Sequence, residues 1–333
     1  MIDMKFLDRK RIGYPILAQS LLISLLLLAI FSGIWTKNET DSSTSVQTAA
    51  VEVNERQDDN DFTKEYDITG YPDFSELVLE AKSAIVYDVT TQTEIFSQNT
   101  QKVLPIASIT KLMTALLVQE LIDNGDTITI TEEAVAQYGN SGLRVGETIT
   151  AENLMQYALL SSSNDAAYAL AHSVGEQILP KEGTAAFIDA MNIRAKELGL
   201  TNTQFQNPTG LDISAIETGA MSTVQDVSKL LAYLVENHPD LLQNTVVESS
   251  LIYNQNGEYH EGENTNPMVN SIPNILASKT GYTDLSGGNL TVSFDAGFNR
   301  PIVITVLGST YSGRFSDVKK LIRATQKYLV YNE

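Results

Sequence analysis

An uncharged apolar run near the N-terminus constrains this chain more than any other feature of its sequence. It extends from Ile12 to Trp35, and leucine dominates its centre. As a helix, about 23 residues rise about 35 Å, which is enough to cross a hydrocarbon layer of about 30 Å. Four basic residues precede the run: Lys5, Arg9, Lys10 and Arg11. Because such residues stay on the cytoplasmic side, the sequence predicts a cytoplasmic basic tail over residues 1–11 and a transmembrane helix over residues 12–36.

A cleaved secretory signal peptide is the competing interpretation of the same run. The run is long for a signal peptide, whose apolar core has about 7–15 residues. The segment Phe31–Trp35 also offers no good small-x-small cleavage site. We therefore expect a retained anchor and a single-pass protein of the cell membrane, with everything after the anchor outside the cytoplasm.

Residues 37–70 are acidic and lack hydrophobic periodicity. They hold nine acidic and three basic residues. This composition predicts a disordered acidic linker between the anchor and a domain over residues 71–333. We interpret the run Asp58–Asp61 as solvated charge, because it lacks the ligand spacing and the glycine of an EF-hand loop.

Charge and cysteine content exclude several classes of function. The 333 residues include 22 Lys and Arg but 41 Asp and Glu, which gives a net charge of −19. No basic surplus exists to displace the counterions of a phosphate backbone, so we expect no nucleic acid as a partner. The chain has no cysteine, which excludes disulfides, zinc–thiolate sites and a cysteine nucleophile.

The pattern over residues 71–333 predicts an α+β fold. An apolar helix is expected over Ser108–Ile122, a helix with a capping box at Ser222 and Gln225, and a terminal amphipathic helix over Ser316–Tyr331. The predicted strands lie near both ends of the region: Ala81–Asp88, Glu94–Ser97, Ile275–Thr280, Gly288–Ala296 and Pro301–Gly308. We therefore expect an α/β sandwich, in which an antiparallel sheet of about five strands from both chain ends is flanked by helices and carries an inserted all-helical lobe.

The sequence indicates neither a catalytic histidine nor a metal site. The three histidines, His172, His238 and His260, are far apart and form no H-E-x-x-H pattern. We interpret each as a surface or core residue, and we expect neither a metal ion nor another cofactor. If the domain is a hydrolase, a side chain other than histidine must activate its nucleophile.

Ser108 and Lys111 form a serine–lysine pair one helical turn apart. Residues at i and i+3 of a helix share a face and lie about 5–6 Å apart at Cβ. Lysine acts as a base near neutrality only if its pKa falls by about three units, which burial and a second cation both favour. The same spacing recurs at Ser316 and Lys319, on the charged terminal helix, and we assign that occurrence to chance.

Two further motifs supply polar groups. Ser162 and Asn164 stand two residues apart on a predicted loop, where a hydroxyl can relay a proton and an amide can hold a carbonyl. Taken alone, this segment is more often an N-cap for the following helix. The other motif, Lys279–Gly281, ends a predicted strand and offers a cation, a hydroxyl and room for close backbone approach.

In their order along the chain, these motifs resemble those of the penicilloyl-serine transferases, which include penicillin-binding proteins and class A β-lactamases. From about Phe74 to Val330, the sequence is similar to the D-alanyl-D-alanine carboxypeptidases, the low-molecular-mass penicillin-binding proteins. Ser163 departs from many relatives, which have Gly or Ala there. The segments that carry the resemblance are Lys82–Asp88, Leu104–Thr114, Ser163–Ala167, Asn207–Leu211 and Lys279–Asp284.

The resemblance implies a β-lactamase/transpeptidase-like fold and a role for each matched residue. Ser108 would attack the penultimate D-alanine carbonyl, Lys111 would take its proton, and Ser162 would protonate the leaving D-alanine. The backbone N–H groups of Ser108 and Tyr282 would form the oxyanion hole. Asn164 would position the peptide, and the terminal carboxylate would be held by Lys279, Thr280 and Thr283. The expected substrate-binding residues are Asn164, Lys279, Thr280, Gly281, Tyr282 and Thr283.

The activity that the resemblance implies is that of a serine-type D-Ala-D-Ala carboxypeptidase. It would remove the terminal D-alanine from peptidoglycan stem pentapeptides through a Ser108 acyl-enzyme, and β-lactam antibiotics would acylate it as covalent inhibitors. A D,D-endopeptidase that cuts cross-links stays open, because the motifs do not separate the two activities. A serine β-lactamase needs an E-x-x-L-N segment, and the nearest, Glu197–Thr201, lacks the final Asn. A non-catalytic wall- or β-lactam-sensing domain would have no need for Ser108, Lys111 and Lys279 together.

Overall fold

The computed structural model of this protein describes residues 68–139 and 141–332. The predicted basic tail, the predicted transmembrane helix and residues 37–67 of the predicted linker lie outside the described residues. Within the described ranges, no helix is both long enough and apolar enough to cross a membrane.

The described chain begins with strands, continues with mostly helical elements and ends with strands followed by a terminal helix. The strands are β1 (Ser83–Asp88), β2 (Thr93–Gln98), β3 (Leu104–Pro105), β4 (Thr127–Thr129), β5 (Thr148–Thr150), β6 (Gln204–Phe205), β7 (Ala220–Ser222), β8 (Ser249–Tyr253), β9 (Tyr259–Glu263), β10 (Ile275–Thr283), β11 (Gly287–Asp295) and β12 (Pro301–Ser309). The helices are α1 (Lys111–Leu121), α2 (Glu132–Val135), α3 (Ala151–Leu160), α4 (Asn164–Ile178), α5 (Gly183–Glu197), α6 (Val224–Asn237) and α7 (Gly313–Asn332).

Both ends of the described chain contribute to one antiparallel sheet, as the sequence predicts. The strand order is β10–β11–β12–β1–β2. Ser83 pairs with Leu307 across β1 and β12, and Lys279 pairs with Thr291 across β10 and β11. β10 therefore forms one edge of the sheet, and that edge carries the Lys-Thr-Gly motif.

Alternate residues of the sheet face two different helices. On β12, Ile302, Ile304 and Val306 belong to a buried cluster with Val318 and Leu321 of α7. The intervening residues of the same strand face α6, where Ser228 and Thr305 share a hydrogen bond of 2.7 Å. Because successive side chains of a strand point to opposite faces, the central strands are buried on both sides. The structure is therefore the expected sandwich of a sheet between helices.

Helix α1 forms the centre of the helical lobe. Every residue from Lys111 to Val118 is buried, and most of these side chains are aliphatic or small. A helix that is apolar on all sides needs neighbours on all sides, and α3, α4, α5 and α6 supply them. Lys111 is the exception in this apolar setting, since its side chain is fully buried.

The expectation of an all-helical lobe is wrong in one respect. Strands β4 and β5 pair within it, as do β8 and β9. Both β4 and β5 have the sequence Thr-Ile-Thr, with the isoleucine buried and the threonines more exposed. This alternation is typical of half-buried strands, but three residues are too few for the pattern to stand out in the sequence.

The predicted N-termini of α1 and α6 are also wrong. Residues Ala107–Thr110 form a 3-10 turn, so α1 begins at Lys111 and not at Ser108. The N-cap of α6 is Thr223, whose side chain accepts a hydrogen bond from Asp226 N, while Ser222 ends β7. Serine and threonine are both good N-cap residues, so the sequence alone does not distinguish Ser222 from Thr223. Ser222 pairs with Leu104 in the sheet, which leaves Thr223 to cap the helix.

Candidate active site

A cleft of about 670 Å³ lies where the edge strand β10 meets the helical lobe. Seven of the nine predicted site residues line it: Ser108, Ser162, Asn164, Thr280, Gly281, Tyr282 and Thr283. The other two, Lys111 and Lys279, are 0% and 1% exposed, and their amines contact lining side chains. The structure therefore brings together all three motifs, which lie far apart between Ser108 and Gly281 in the chain.

Ser108 stands in the 3-10 turn that leads into α1. The Nζ atom of Lys111 lies 2.9 Å from Ser108 Oγ. Ala107, just before the serine, has φ of 47°, a left-handed conformation that costs a non-glycine residue about 1 kcal/mol or more. Such strain is concentrated at functional sites, and here it directs the start of the helix into the cleft.

Three oxygen atoms surround the amine of Lys111. They are Ser108 Oγ at 2.9 Å, Asn164 Oδ1 at 2.7 Å and the Thr209 carbonyl oxygen at 2.8 Å. Burial, and after it the positive charge of Lys279, holds the pKa of Lys111 well below its ordinary value. The neutral amine has two N–H donors and one lone pair. Because the two carbonyl oxygens can only accept, the lone pair is left for the hydroxyl of Ser108.

The second lysine contacts the second serine. Lys279 Nζ lies 2.9 Å from Ser162 Oγ and donates to Thr280 O at 3.1 Å. Burial, together with the nearby charge of Arg314, lowers the pKa of Lys279 to about 7. Ser162 has φ of 58°, so this residue is also held in a strained conformation. A lysine with a pKa near neutrality can give up or recover a proton at little cost, and Ser162 is its contact with the cleft.

Asn164 connects the base to the opposite wall of the cleft. Its Oδ1 atom accepts from Lys111, and its Nδ2 donates to Tyr138 O at 2.6 Å. The N-cap of α4 is Ser163, whose side chain accepts from Ala166 N. Ser163 therefore caps the helix, as the capping alternative predicts, while its two neighbours, Ser162 and Asn164, line the cleft.

Gly281 allows β10 to approach the turn that carries the serine. A Cβ atom at this position would lie 2.6 Å from Ile106 O and 3.3 Å from Ser108 N. No side chain fits at the shorter distance, so glycine is required here for close approach and not for an unusual φ. This contact places the amide of Ser108 beside β10, where the oxyanion hole is predicted.

The threonines at the end of β10 have different partners. The hydroxyls of Thr280 and Thr265 lie 2.6 Å apart at the cleft surface. Thr283 donates its hydroxyl proton to Asp212 Oδ1 at 3.0 Å, and Asp212 also accepts from Leu285 N. The hydroxyl proton of Thr283 therefore stays within the protein in this structure, and its predicted contact with a substrate carboxylate stays a prediction.

Sequence reasoning missed Arg314, which lines the cleft from the first turn of α7. The residue is 3% exposed, donates to Gly281 O at 2.8 Å and stacks on the Tyr311 ring at 4.6 Å. Its buried Nε has no hydrogen-bond partner among the described residues. The signal in the sequence is positional, because Arg314 shares the i, i+4, i+7 stripe of Val318 and Leu321. An arginine on an otherwise apolar helix stripe is unusual, and its position at the cleft explains it.

The other candidates of the sequence analysis lie elsewhere. Ser316 is exposed, donates to Gly313 O and does not line the cleft. Glu197, from the imperfect β-lactamase-like segment, ends α5 and pairs with Arg194 at 3.1 Å. None of the three histidines lines the cleft: His172 and His260 stack on tyrosine rings, and His238 makes a tilted contact with Tyr233. In the described part of the chain, no cluster of His, Asp and Glu is arranged to hold a metal ion.

Comparison with known proteins gives a consistent answer. The family model described as D-alanyl-D-alanine carboxypeptidase (Peptidase_S11) matches residues 72–310. The D-alanyl-D-alanine carboxypeptidase DacF of Bacillus subtilis is 32% identical over 254 residues, which are 74% of this chain and 62% of the relative. The D-alanyl-D-alanine endopeptidase of Pseudomonas aeruginosa is 34% identical over 253 residues, covering 74% of this chain and 77% of that protein.

A solved structure extends the comparison to the fold. Penicillin-binding protein D2 of Listeria monocytogenes, in its ampicillin-bound form, is 30% identical, with a TM-score of 0.63 over 74% of this chain and 98% of that chain. The chain thus spans less than two thirds of the length of DacF but almost all of the length of the Listeria structure. The resemblance read from the three motifs is confirmed, and the chain belongs to the D-alanyl-D-alanine carboxypeptidase family.

Proposed function

We propose that this protein is a serine-type D-Ala-D-Ala carboxypeptidase, which removes the terminal D-alanine from peptidoglycan stem peptides. The observation that carries the proposal is the amine of Lys111, which is buried, faced by two carbonyl oxygens and 2.9 Å from Ser108 Oγ. This arrangement produces a neutral base beside a nucleophile without any histidine.

In the first half of the reaction, Ser108 Oγ attacks the carbonyl carbon of the scissile peptide bond. Lys111 accepts the hydroxyl proton through the lone pair that the two carbonyl oxygens leave free. The N–H groups of Ser108 and Tyr282 stabilise the oxyanion. Ser162, supplied with a proton by Lys279 at 2.9 Å, protonates the leaving amine. Water then hydrolyses the acyl-enzyme and regenerates Ser108.

The leaving D-alanine carries a carboxylate, and the cations of the cleft suit it. Lys279 and Arg314 bring positive charge to this end of β10, and Thr280 adds a hydroxyl at the surface. Arg314 donates to Gly281 O and keeps an Nε without a partner among the described residues. We propose that Thr280 and Arg314 bind the D-alanine carboxylate directly. Lys279 is buried and contributes positive charge without lining the cleft.

Covalent labelling tests the proposal. Exposure to penicillin should leave an adduct on Ser108, detectable by mass spectrometry of the intact protein and its peptides, and Ser108→Ala should abolish it. Lys111→Ala should fold but acylate at least about a hundredfold more slowly, since general-base catalysis supplies about 10²–10⁴. An adduct on Ser316, or undiminished acylation of Lys111→Ala, would contradict the assignment.

A D,D-endopeptidase is the second candidate, and the Pseudomonas relative supports it. That endopeptidase is 34% identical, and 77% of its length is covered by this chain. The two activities share the acyl-enzyme and differ in the leaving group. Incubation with a stem pentapeptide and, separately, with a cross-linked stem dimer separates them: release of D-alanine alone supports the carboxypeptidase, and cleavage of the dimer supports the endopeptidase.

The β-lactam class should inhibit the protein rather than serve as its substrate. The described carboxylates that line the cleft are Asp212 and Asp284. Asp212 accepts from Thr283 and Leu285, so it is engaged in the wall rather than free to activate water. We expect the penicilloyl adduct to last much longer than one turnover of the peptide substrate, whereas rapid hydrolysis of penicillin would favour a β-lactamase. Absence of both turnover and peptide hydrolysis would favour a sensing domain.

The apolar run over residues 12–36 supports a place at the cell membrane. We propose a single-pass protein whose N-terminus is cytoplasmic and whose catalytic domain faces peptidoglycan outside the cell. An acyl-transfer domain that acts on wall peptides requires this side of the membrane, and the basic residues before the run favour this orientation.

A further inference from the structure

The segment between β6 and β7 contains a loop that one side chain closes. Asn207 Oδ1 accepts three hydrogen bonds, from Thr209 N at 3.2 Å, Thr209 Oγ1 at 3.0 Å and Gly210 N at 2.7 Å. Its Nδ2 donates to Leu211 O at 2.9 Å. A single amide thus determines the conformation of the backbone from residue 207 to residue 211.

The loop is held against the elements that carry the nucleophile and the base. Thr114 of α1 donates to Pro208 O at 2.7 Å. Gly210 has φ of 79°, and a Cβ atom there would lie 1.9 Å from Ala107 O, so the loop touches the turn before Ser108. A Cβ atom on Gly219 would lie 2.3 Å from Asn207 Nδ2, which shows that the space around the amide is closed.

The loop presents the carbonyl oxygen of Thr209 to Lys111 Nζ at 2.8 Å. We infer that Asn207 is a positioning residue, which holds the Thr209 carbonyl on Lys111 and thereby directs the lone pair of the neutral amine to Ser108. This inference rests on the proposed acyl-transfer function of the site. Asn207 does not line the cleft, so it acts through Thr209 and not on the substrate.

The charged groups around Lys111 do not perform this role. The charge of Lys279 on β10 lowers the pKa of Lys111, and the charge of Arg314 on α7 lowers the pKa of Lys279. The carboxylate that follows Asn164 in the chain, Asp165, accepts from Ser141, and Asp212 of the cleft wall accepts from Thr283 and Leu285. Direction of the lone pair therefore depends on the neutral acceptors, Asn164 Oδ1 and Thr209 O.

The test measures the rate of acylation by a fluorescent penicillin as a function of pH. Asn207→Ala should acylate roughly ten- to a hundredfold more slowly, because the base is misaligned. Its acid limb, the pH below which the rate falls, should move to lower pH, because the ammonium form of Lys111 loses an acceptor. Asn207→Asp keeps an oxygen for the three donors but adds negative charge, so its acid limb should move to higher pH.

Asn237→Ala is the matched control, since Asn237 bonds only its own helix at Tyr233 O and is exposed. It should show the wild-type rate and acid limb. If Asn207→Ala does not fold, the direction of the shift in Asn207→Asp decides. Folded variants that keep the wild-type acid limb, whether slow or fast, overturn the positioning role. A wild-type protein that penicillin never labels instead overturns the proposed function.

Discussion

Two lysines at the site lie in buried positions that disfavour the charged ammonium form. Lys111 and Lys279 are buried, and burial is the largest cause of the lowered pKa of each, followed by a neighbouring cation. Among the described ion pairs, neither lysine has a carboxylate partner, although pairing is the usual way to keep a buried lysine. The arrangement lowers stability and leaves amines that can accept a proton near neutral pH, so under the proposed mechanism stability and catalysis oppose each other at these residues.

Lys279→Met is expected to stabilise the protein while removing rapid acylation. The pKa of Lys279 falls from 10.5 to about 7 on folding, so between these values the unfolded chain binds more protons, and stability rises with pH through this window. Methionine removes this dependence and should raise the free energy of unfolding near pH 7 by roughly 1–3 kcal/mol. The gain should shrink as the pH approaches 10.5. Urea titrations at both ends of the window measure it, and a variant less stable at both would contradict the burial argument.

Gly281→Ala is expected to impair the site by steric means. The added methyl group would lie 2.6 Å from Ile106 O, which is backbone and has no room to move away. Overpacking of this kind costs about 1–3 kcal/mol, and the strand must also retreat from Ser108 N. We expect a lower thermal midpoint and acylation slowed by about a hundredfold. Gly125→Ala, in an exposed turn with nothing within 4 Å of the added Cβ and no left-handed φ, controls for the substitution; equal acylation rates for the two would refute the close approach.

At the scale of elements, the sequence predicts regular structure better than it predicts loop contacts. The five sheet strands follow from alternating and apolar runs near both chain ends, and the terminal helix follows from its stripe. The Thr209 carbonyl and the Tyr138 carbonyl, which hold Lys111 and Asn164, belong to loops. A backbone carbonyl is present in every residue, so no side-chain pattern distinguishes these two. Motif residues could therefore be predicted, whereas the acceptors that orient them required the fold.

The buried side chain of Glu147 stabilises the side of the cleft that carries Tyr138. Glu147 Oε1 lies 2.7 Å from His260 Nε2 on β9 and accepts from Asn254 at 2.8 Å, while its Oε2 accepts from Arg144 N. Burial alone would raise the pKa of Glu147, but these hydrogen bonds outweigh it and lower the pKa. The acid therefore joins the hairpin of β8 and β9 to the segment that follows Tyr138.

Glu147→Gln is expected to loosen this connection. Glutamine offers one acceptor oxygen where the carboxylate offers two, so a buried donor is left unpaired at a cost of about 1–3 kcal/mol. Since folding lowers the pKa of Glu147, its contribution is complete above an unfolded pKa of about 4.3 and is lost as the pH falls through the folded value. Denaturant titrations should therefore show a deficit near pH 7 that narrows in acid. Glu261→Gln, on the exposed face of β9, is the control; equal losses for the two substitutions would refute a specific role for Glu147.

At the scale of the whole molecule, the sheet joins the beginning of the described domain to its end. β1 pairs with β12, and Asp317 of α7 accepts from the amides of Glu80 and Ala81. The helical lobe lies between these elements in the chain, and the cleft lies between the lobe and β10. Closure of the sheet therefore determines the position of Lys279 relative to Ser108, and the three motifs meet only in the complete domain.

Removal of residues 1–67 should therefore separate anchoring from catalysis. The first buried residues of the two hydrophobic clusters are Ala81 and Ile85, so a fragment of residues 68–333 should keep the thermal midpoint of the full chain and its rate of penicillin acylation. If residues 12–36 form the anchor, the full chain should sediment with membranes and the fragment should stay in the supernatant, because about 23 apolar residues supply the insertion energy. The full chain with Ser108→Ala controls for active-site binding to the wall and should still sediment. A fragment that unfolds would refute the independence of the domain, and a full chain released without detergent would refute the anchor.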